Sequence, residues 1–220
     1  MSDFGVPTFT ELVSEQVLAQ IRAGSVRRAY VDGERLHDRG DAAGAIDLVV
    51  AGQVNLFRLS PNGQETFVGT VNPGQNYGDF AITGTRRSHR GVAVGPTTVD
   101  HLPREAGPAL LADAAVVGAL YRIAAFRLAQ ALEMLDDMRS LPPLYQLARL
   151  LLRLLQTAGS GRTIAIRQED LAGMLGLSAV TMGKLLAALR DEGLVETGYR
   201  RIGVSDPARL AQWIAAFVQE

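Results

Sequence analysis

The chain has no cysteine, one lysine, one tryptophan and three histidines among 220 residues. The absence of cysteine excludes disulfides, thiolate zinc sites and cysteine-ligated iron–sulfur clusters together. No apolar run reads as long enough to cross a bilayer. The start "MSDFGVPTFTELVSEQ" has neither the basic residues nor the apolar stretch of a secretory signal, so a cytoplasmic location without membrane attachment is expected. Nucleophile-elbow, P-loop, zinc-spacing and paired-carboxylate motifs are all missing, and no enzyme activity is expected. A net charge of −1 excludes a strongly basic nucleic-acid coat protein. The charge is uneven, however. From residue 141 onward nine Arg/Lys face seven Asp/Glu, which gives +2 there and −3 for the remainder.

What is present falls into three textures. Residues 9–24, "FTELVSEQVLAQIRAG", place Leu12, Val13, Val17, Leu18 and Ile21 at helical spacing and close on Gly24. Residues 26–103 break into short runs rich in Val, Ile, Phe and Thr, such as "AIDLVV", "QVNLFRL" and "RGVAVG", punctuated by glycines. Many short strands with regular turn signals predict an all-β sandwich or barrel. Residues 108–139 are continuous helix formers, ended by Pro142 and Pro143. Along that helix Val117, Tyr121, Ala124, Leu128, Ala131, Leu135 and Met138 alternate at spacings of four and three. This heptad seam is about 33 Å long and suits a parallel homodimer. A second apolar stripe, Leu120, Ile123 and Met134, is left to pack on the β-rich part. The proline pair predicts a hinge.

The last third reads as a DNA-binding module. In "QEDLAGMLGLSAVTMGKLLAALRDEGLVE" a helix begins at Gln168, Ala172 is small where two helices cross, and Gly176 supplies a left-handed turn. Ser178 is an N-cap for a second helix, on which Met182 and Leu185 are expected to pack back onto the first. "LVETGYRRIGV" follows as two short strands turning at Thr197–Gly198, a wing tipped by Tyr199, Arg200 and Arg201. Asp206–Pro207 starts a final helix. In a winged helix-turn-helix the start of the second helix faces base edges, which nominates Ser178, Ala179, Val180, Thr181 and Lys184, with Gln168 on the preceding helix. Lys184, the lone lysine, and Arg200 and Arg201 suit phosphates.

One further stretch is unusual. "NYGDFAITGTRRSHRG", residues 76–91, gathers Asp79, Arg86, Arg87 and Arg90 among small residues. It is either a salt-bridge cluster around Asp79 or a cradle for an anion, built from exposed backbone N–H groups and an arginine fork.

Taken with the glycines at 52, 63, 74 and 78 and the helix-turn-helix, this stretch makes the chain resemble the cyclic-AMP receptor protein/fumarate–nitrate regulator (Crp/Fnr) family of bacterial transcription regulators. The resemblance implies an α+β chain of three parts: an effector-sensing β-roll (a jelly-roll, cyclic-nucleotide-binding-like domain) over 1–107, a dimerisation helix and hinge over 108–140, and a winged helix-turn-helix over 141–220. It implies a homodimer on double-stranded DNA with a near-palindromic operator, acting on RNA polymerase. Gly78, Arg87 and Ser88 would hold a cyclic phosphate and Asp79 a ribose hydroxyl. Asp79 is one methylene shorter than the family's glutamate, the loop before Arg87 is one residue short, and His89 replaces a small residue. Ala131 and Leu132 stand where hydroxyl side chains read adenine, and neither hydrogen-bonds. Ala179–Val180 replaces an Arg-Glu pair and Lys184 replaces an arginine. The effector is therefore left open between a cyclic nucleotide, another small ligand and none. Alternatives on the same fold are a haem-based gas sensor using His37, His89, His101 or a methionine, and a cyclic-nucleotide-binding subunit that meets no DNA.

Overall fold

The β-rich run builds one antiparallel sheet system in a computed structural model that describes residues 8–59, 65–79, 86–157 and 161–218. The described residues up to Leu128 form one compact unit and those from Ala129 a second. In the first, β1 (Val26–Tyr30), β2 (Arg35–His37), β3 (Ala45–Leu59), β4 (Glu65–Val71), β5 (Asn76–Tyr77) and β6 (Arg90–Pro103) pair in the order β1-β6-β3-β4, with β2 also on β6 and β5 on β3. The sequence divides β3 at Gly52 into two runs. In the structure they are a single bent strand, paired with β6 from Ala45↔Pro103 to Phe57↔Arg90 across register shifts at Val49/Ala51 and Ala51/Gln53. Gly52 makes the bend possible: its φ is +71°, and a Cβ there would lie 2.4 Å from the Pro96 carbonyl oxygen. Val49, Val54, Val71, Tyr77 and Val99 fill the interior.

The expected helix over 9–24 is two helices, α1 (Phe9–Leu12) and α2 (Glu15–Gly24). Ser14 interrupts it because its hydroxyl accepts from the Val17 amide and caps a new start. Likewise the helix expected over 108–139 divides into α3 (Gly107–Leu111) and α4 (Ala114–Ser140), with the Asp113 carboxylate accepting from the Ala115 amide at 2.8 Å. Val116, Ala119 and Ile123 of α4 are buried with Phe9, Val17, Leu18, Ile21 and Leu48. At 27 residues α4 is long and apolar enough to cross a membrane, contrary to the sequence reading. Its apolar content has another account, because it carries two apolar faces rather than one. The first is that packed row. The second, Val117, Tyr121, Leu128, Leu135 and Met138, is exposed, with Tyr121 at 73%.

The second unit continues α4 into α5 (Pro143–Thr157), whose first residue is proline, where a missing N–H costs nothing. Then follow β7 (Thr163–Ile164), α6 (Gln168–Leu175), α7 (Ala179–Asp191), β8 (Val195–Gly198), β9 (Arg201–Val204) and α8 (Pro207–Val218). The strands order as β7-β9-β8, so the wing carries a third strand that the sequence did not announce. Asp206 caps α8 through the Ala208 amide at 2.9 Å. Leu147, Leu151, Leu171, Met182, Leu186, Leu189 and Leu210 are the fully buried centre. Met182, Leu186 and Leu189 are the buried face of α7, and the expected Leu185, at the flank of that face, is half-buried. Near the end of α4, Asp137 is buried between Arg149 (3.1 Å) and Arg153 of α5. Burial draws the Arg153 guanidinium below its ordinary pKa.

Candidate effector pocket and nucleic-acid interface

The pocket in the first unit is lined by His37, Tyr77, Gly78, Arg87, Ser88 and His89, with Ala43 and Leu56 supplying its apolar wall. Three of the four expected ligand residues are therefore brought together, and Asp79 follows Gly78 directly. Gly78 has φ +77°, and a Cβ on it would lie 2.2 Å from Arg87 Nη1. The arginine thus occupies the space that a side chain at 78 would take. This is a local reason for glycine at that turn.

Arg87 does not face an empty cradle. Its Nη1 lies 2.7 Å from Asp47 Oδ2, a close charge contact rather than an aligned hydrogen bond, with side-chain exposures of 9% and 0%. Asp47 lies on β3, forty residues upstream. Its other oxygen accepts from His101 Nδ1 at 2.7 Å, which leaves His101 Nε2 to accept from the Tyr30 hydroxyl at 2.7 Å. A line Arg87–Asp47–His101–Tyr30, centred on the buried Asp47, therefore runs from the pocket into the sheet. Sequence reasoning missed Asp47, although a carboxylate inside "AIDLVV" was the available signal, since buried carboxylates are paired.

The first alternative, a salt-bridge cluster of Arg86, Arg87 and Arg90 around Asp79, is not formed. Arg90 pairs with Asp38 and Glu65, at 2.6 and 2.7 Å, and Arg86 donates to the Gly40 carbonyl. Asp79 instead accepts from Arg127 of α4 at 2.7 Å and from the Asn76 side-chain amide, while Arg127 also donates to the Asn76 carbonyl at 2.6 Å. The loop expected to be one residue short, 80–85, lies outside the described residues.

Apart from its contact with Asp47, Arg87 lines the pocket with two imidazoles and a phenol. Burial, and then the positive Arg87, push the His37 imidazole down to about 4. Its ring stacks at a tilt on Tyr77, 5.7 Å between centroids. Burial also lowers His89, whose Nδ1 pairs with the Ser88 hydroxyl at 2.8 Å. Burial, and then Asp47, push the Tyr77 hydroxyl well above its ordinary range. The cavity measures about 300 Å³ out to open solvent, and its enclosed part holds little more than water. Of the three histidines considered as haem ligands, His101 is committed at both ring nitrogens and only His37 and His89 line the cavity. No group of three metal-ligating side chains occurs among the described residues.

The second site is in the other unit. α6 ends at Gly176, φ +65°, whose amide and that of Leu177 close the turn on Gly173 and Ala172. Ser178 then caps α7, its Oγ accepting from the Thr181 amide at 3.1 Å. Ser178, Ala179, Val180 and Lys184 are exposed, Val180 at 71%, and Thr181 is half-buried. Gln168 is exposed at the start of α6. The wing turns at Tyr199–Arg200, two residues beyond the expected Thr197–Gly198, because β8 pairs with β9 through Gly198↔Arg201. Arg200 takes φ +52°, a left-handed conformation seldom adopted by arginine. Tyr199 is 91% exposed at the tip, and Arg200 and Arg201 are exposed beside it. Lys184, Arg200 and Arg201 form no ion pair with any described residue, so all three charges face solvent unneutralised.

Comparison with known proteins matches a domain to each of the two regions. The cyclic nucleotide-binding domain matches residues 27–113, and the Crp-like helix-turn-helix domain matches residues 145–213. The chain is 33% identical over 210 residues to the cyclic AMP receptor protein of Thermus thermophilus, covering 94% of this chain and 96% of that one. It is 26% identical over 189 residues to the CRP-like cAMP-activated global transcriptional regulator of Mycobacterium tuberculosis, covering 82% and 84%. A transcriptional regulator of the CRP family from Thermus thermophilus superposes with a TM-score of 0.70 at 24% identity, over 86% of this chain and 96% of that one, a likeness of fold.

Proposed function

The chain belongs to the Crp/Fnr family of transcription regulators, and from that premise we propose that it acts in the cytoplasm as a homodimer on near-palindromic DNA, gated by a small anion in the β-roll, with no enzyme activity. The observation that carries the dimer is the double-sided α4. Its inner row is already buried, yet Val117, Tyr121, Leu128, Leu135 and Met138 remain exposed on one seam with Ala124 and Ala131 between them. Soluble chains seldom leave such a continuous apolar stripe uncovered, and a second copy in parallel covers it. Two-fold symmetry then sets two recognition helices on half-sites about 34 Å apart. Gln168, Ser178, Ala179, Val180, Thr181 and Lys184 meet the major groove or its edge, and Arg200 and Arg201 take phosphates. RNA polymerase is the partner that the family reading supplies.

For the effector, Arg87, Ser88 and the Gly78 amide are the anion-holding groups, with Asp79 beside them. Cyclic AMP is the first candidate, because the relatives named above carry it in their names. Its phosphate must displace Asp47 from Arg87, and Ala131 and Leu132 offer an adenine no hydrogen bond. Sedimentation of the full chain and fluorescence anisotropy on selected duplexes, with and without cyclic AMP, test the whole reading. A dimer that holds a two-fold-symmetric duplex, more tightly when cyclic AMP is present, is expected. A monomer, or a dimer that binds all duplexes alike, would remove the reading.

A further inference from the structure

The exposed start of α7 carries an unusual chemistry for a helix that reads DNA. Bidentate recognition of guanine takes arginine or lysine, that of adenine takes asparagine or glutamine, and cytosine offers its amino group to a carboxylate. Over Ala179–Asp191 the helix contains no asparagine, glutamine or glutamate. Arg190 is its only arginine and lies eleven residues past Ala179, about 16 Å along the axis. The two hydroxyls near the start are largely spent on each other. Ser178 Oγ accepts from the Thr181 amide, and Ser178 and Thr181 hydroxyls share one hydrogen bond of 2.9 Å. One O–H proton and two lone pairs remain, on side chains too short to make a bidentate contact with a base edge. Lys184, the one cation near the start, is the group the reading above gives to phosphate, as a point charge without arginine's fork. What α7 does present outward is methyl surface: the Ala179 methyl and the isopropyl group of Val180, 71% exposed at a helix position with no packing role.

We infer that this protein reads its half-site through thymine 5-methyl groups in the major groove, with no G·C pair selected by hydrogen bonding from α7. The inference rests on the proposed DNA-binding role and deepens it. A T·A pair presents the thymine 5-methyl there beside its O4 acceptor, and alkyl side chains are the groups that recognise that methyl. Lys184, Arg200 and Arg201 then provide affinity that is indifferent to sequence, and the remaining selectivity comes from duplex shape.

The test uses the full chain. A random duplex library is selected first, and each thymine of the recovered half-site is then replaced by deoxyuridine, which deletes the methyl and nothing else. Removing one buried methyl group is expected to weaken binding about fourfold at each thymine that is read. Val180→Ser should abolish that uracil effect at one position while leaving the salt dependence of binding as it was. Lys184→Gln should do the reverse, reducing the salt slope and preserving the uracil pattern. Val180 is 71% exposed, so its variant is expected to fold. Affinity unchanged by uracil at every position, with loss instead when guanine is replaced by 7-deazaguanine, overturns the inference and leaves DNA recognition standing. Recovery of no preferred sequence at all overturns the underlying DNA reading as well.

Discussion

Replacing Asp47 with asparagine should weaken the fold and strengthen anion binding in the same molecule. In the native chain the Arg87 guanidinium, 2.7 Å from Asp47, is neutralised before any ligand arrives. At an effective dielectric of 20 the attraction at that distance is about 6 kcal/mol before desolvation. Removing one partner of a buried pair leaves the other charge uncompensated, at a typical cost of about 3–5 kcal/mol. Asp47→Asn keeps the side chain's shape and a hydrogen-bond partner for His101, so the lower end applies, about 3 kcal/mol. In a unit of this size that lowers the melting temperature by roughly 10 °C. The same change leaves Arg87 seeking a counter-ion. Cyclic AMP or inorganic phosphate no longer competes with a tethered carboxylate, and affinity for either should rise at least about tenfold. Thermal-shift titration of both variants measures the two effects together, since ligand at 100 times its Kd adds about 2.7 kcal/mol. A double-mutant cycle with Arg87→Gln isolates the pair, with a coupling above about 2 kcal/mol expected. Additive single effects, or an asparagine variant that binds anions no better than the parent, would show that Asp47 does not restrain Arg87.

Other outcomes follow from the same structure. Leu128→Asp, on the exposed seam, removes about 1.5–3 kcal/mol of apolar burial from each copy and sets two like charges face to face. The dimer dissociation constant should rise at least 100-fold in sedimentation, with the helical signal of the monomer retained. Arg200→Ala and Arg201→Ala should each weaken binding to every duplex alike and reduce the salt slope by about 1, read from anisotropy at several salt concentrations. His37 is held neutral in the fold, with its pKa lowered to about 4 from an unfolded value near 6.5. The unfolded chain therefore binds the proton first, and stability falls as pH drops from about 6.5 to 4, by at most about 3 kcal/mol. His37→Phe keeps a ring against Tyr77 and should flatten that part of the profile. An unchanged slope would place the pH sensitivity elsewhere.

The parts of this molecule that were legible in the sequence are those whose physics is local. Ser178 and Gly176 announce the helix-turn-helix because a cap and a left-handed turn depend on residues within four positions. Gly78 and Arg87–Ser88 came from the family resemblance, and the structure shows why glycine stands at 78, the guanidinium lying where a side chain there would be. The seam of α4 was readable for the same reason, since a heptad is a property of one helix. Ser14 and Asp113, by contrast, were read through as helix interior, although both residue types compete for backbone N–H groups and start helices.

What remained hidden is the choice of partner. Arg87, Arg90 and Asp79 share a stretch of twelve residues, and opposite charges so close in sequence invite the conclusion that they pair. Each instead reaches across the sheet or to α4, to Asp47, Asp38 or Arg127, because neighbours on a strand point to opposite faces and a turn faces whatever the fold brings to it. The consequence is functional. Because Arg87 is paired within the fold, the anion proposed for it would bind only in competition with Asp47, a carboxylate forty residues away. Asp137 shows the same logic at the end of α4, where one of two adjacent acids in "LDDM" is buried between Arg149 and Arg153 and the other is solvated. A charged residue within an apolar or helical run is thus the signal to follow, and its partner is settled by topology rather than by spacing.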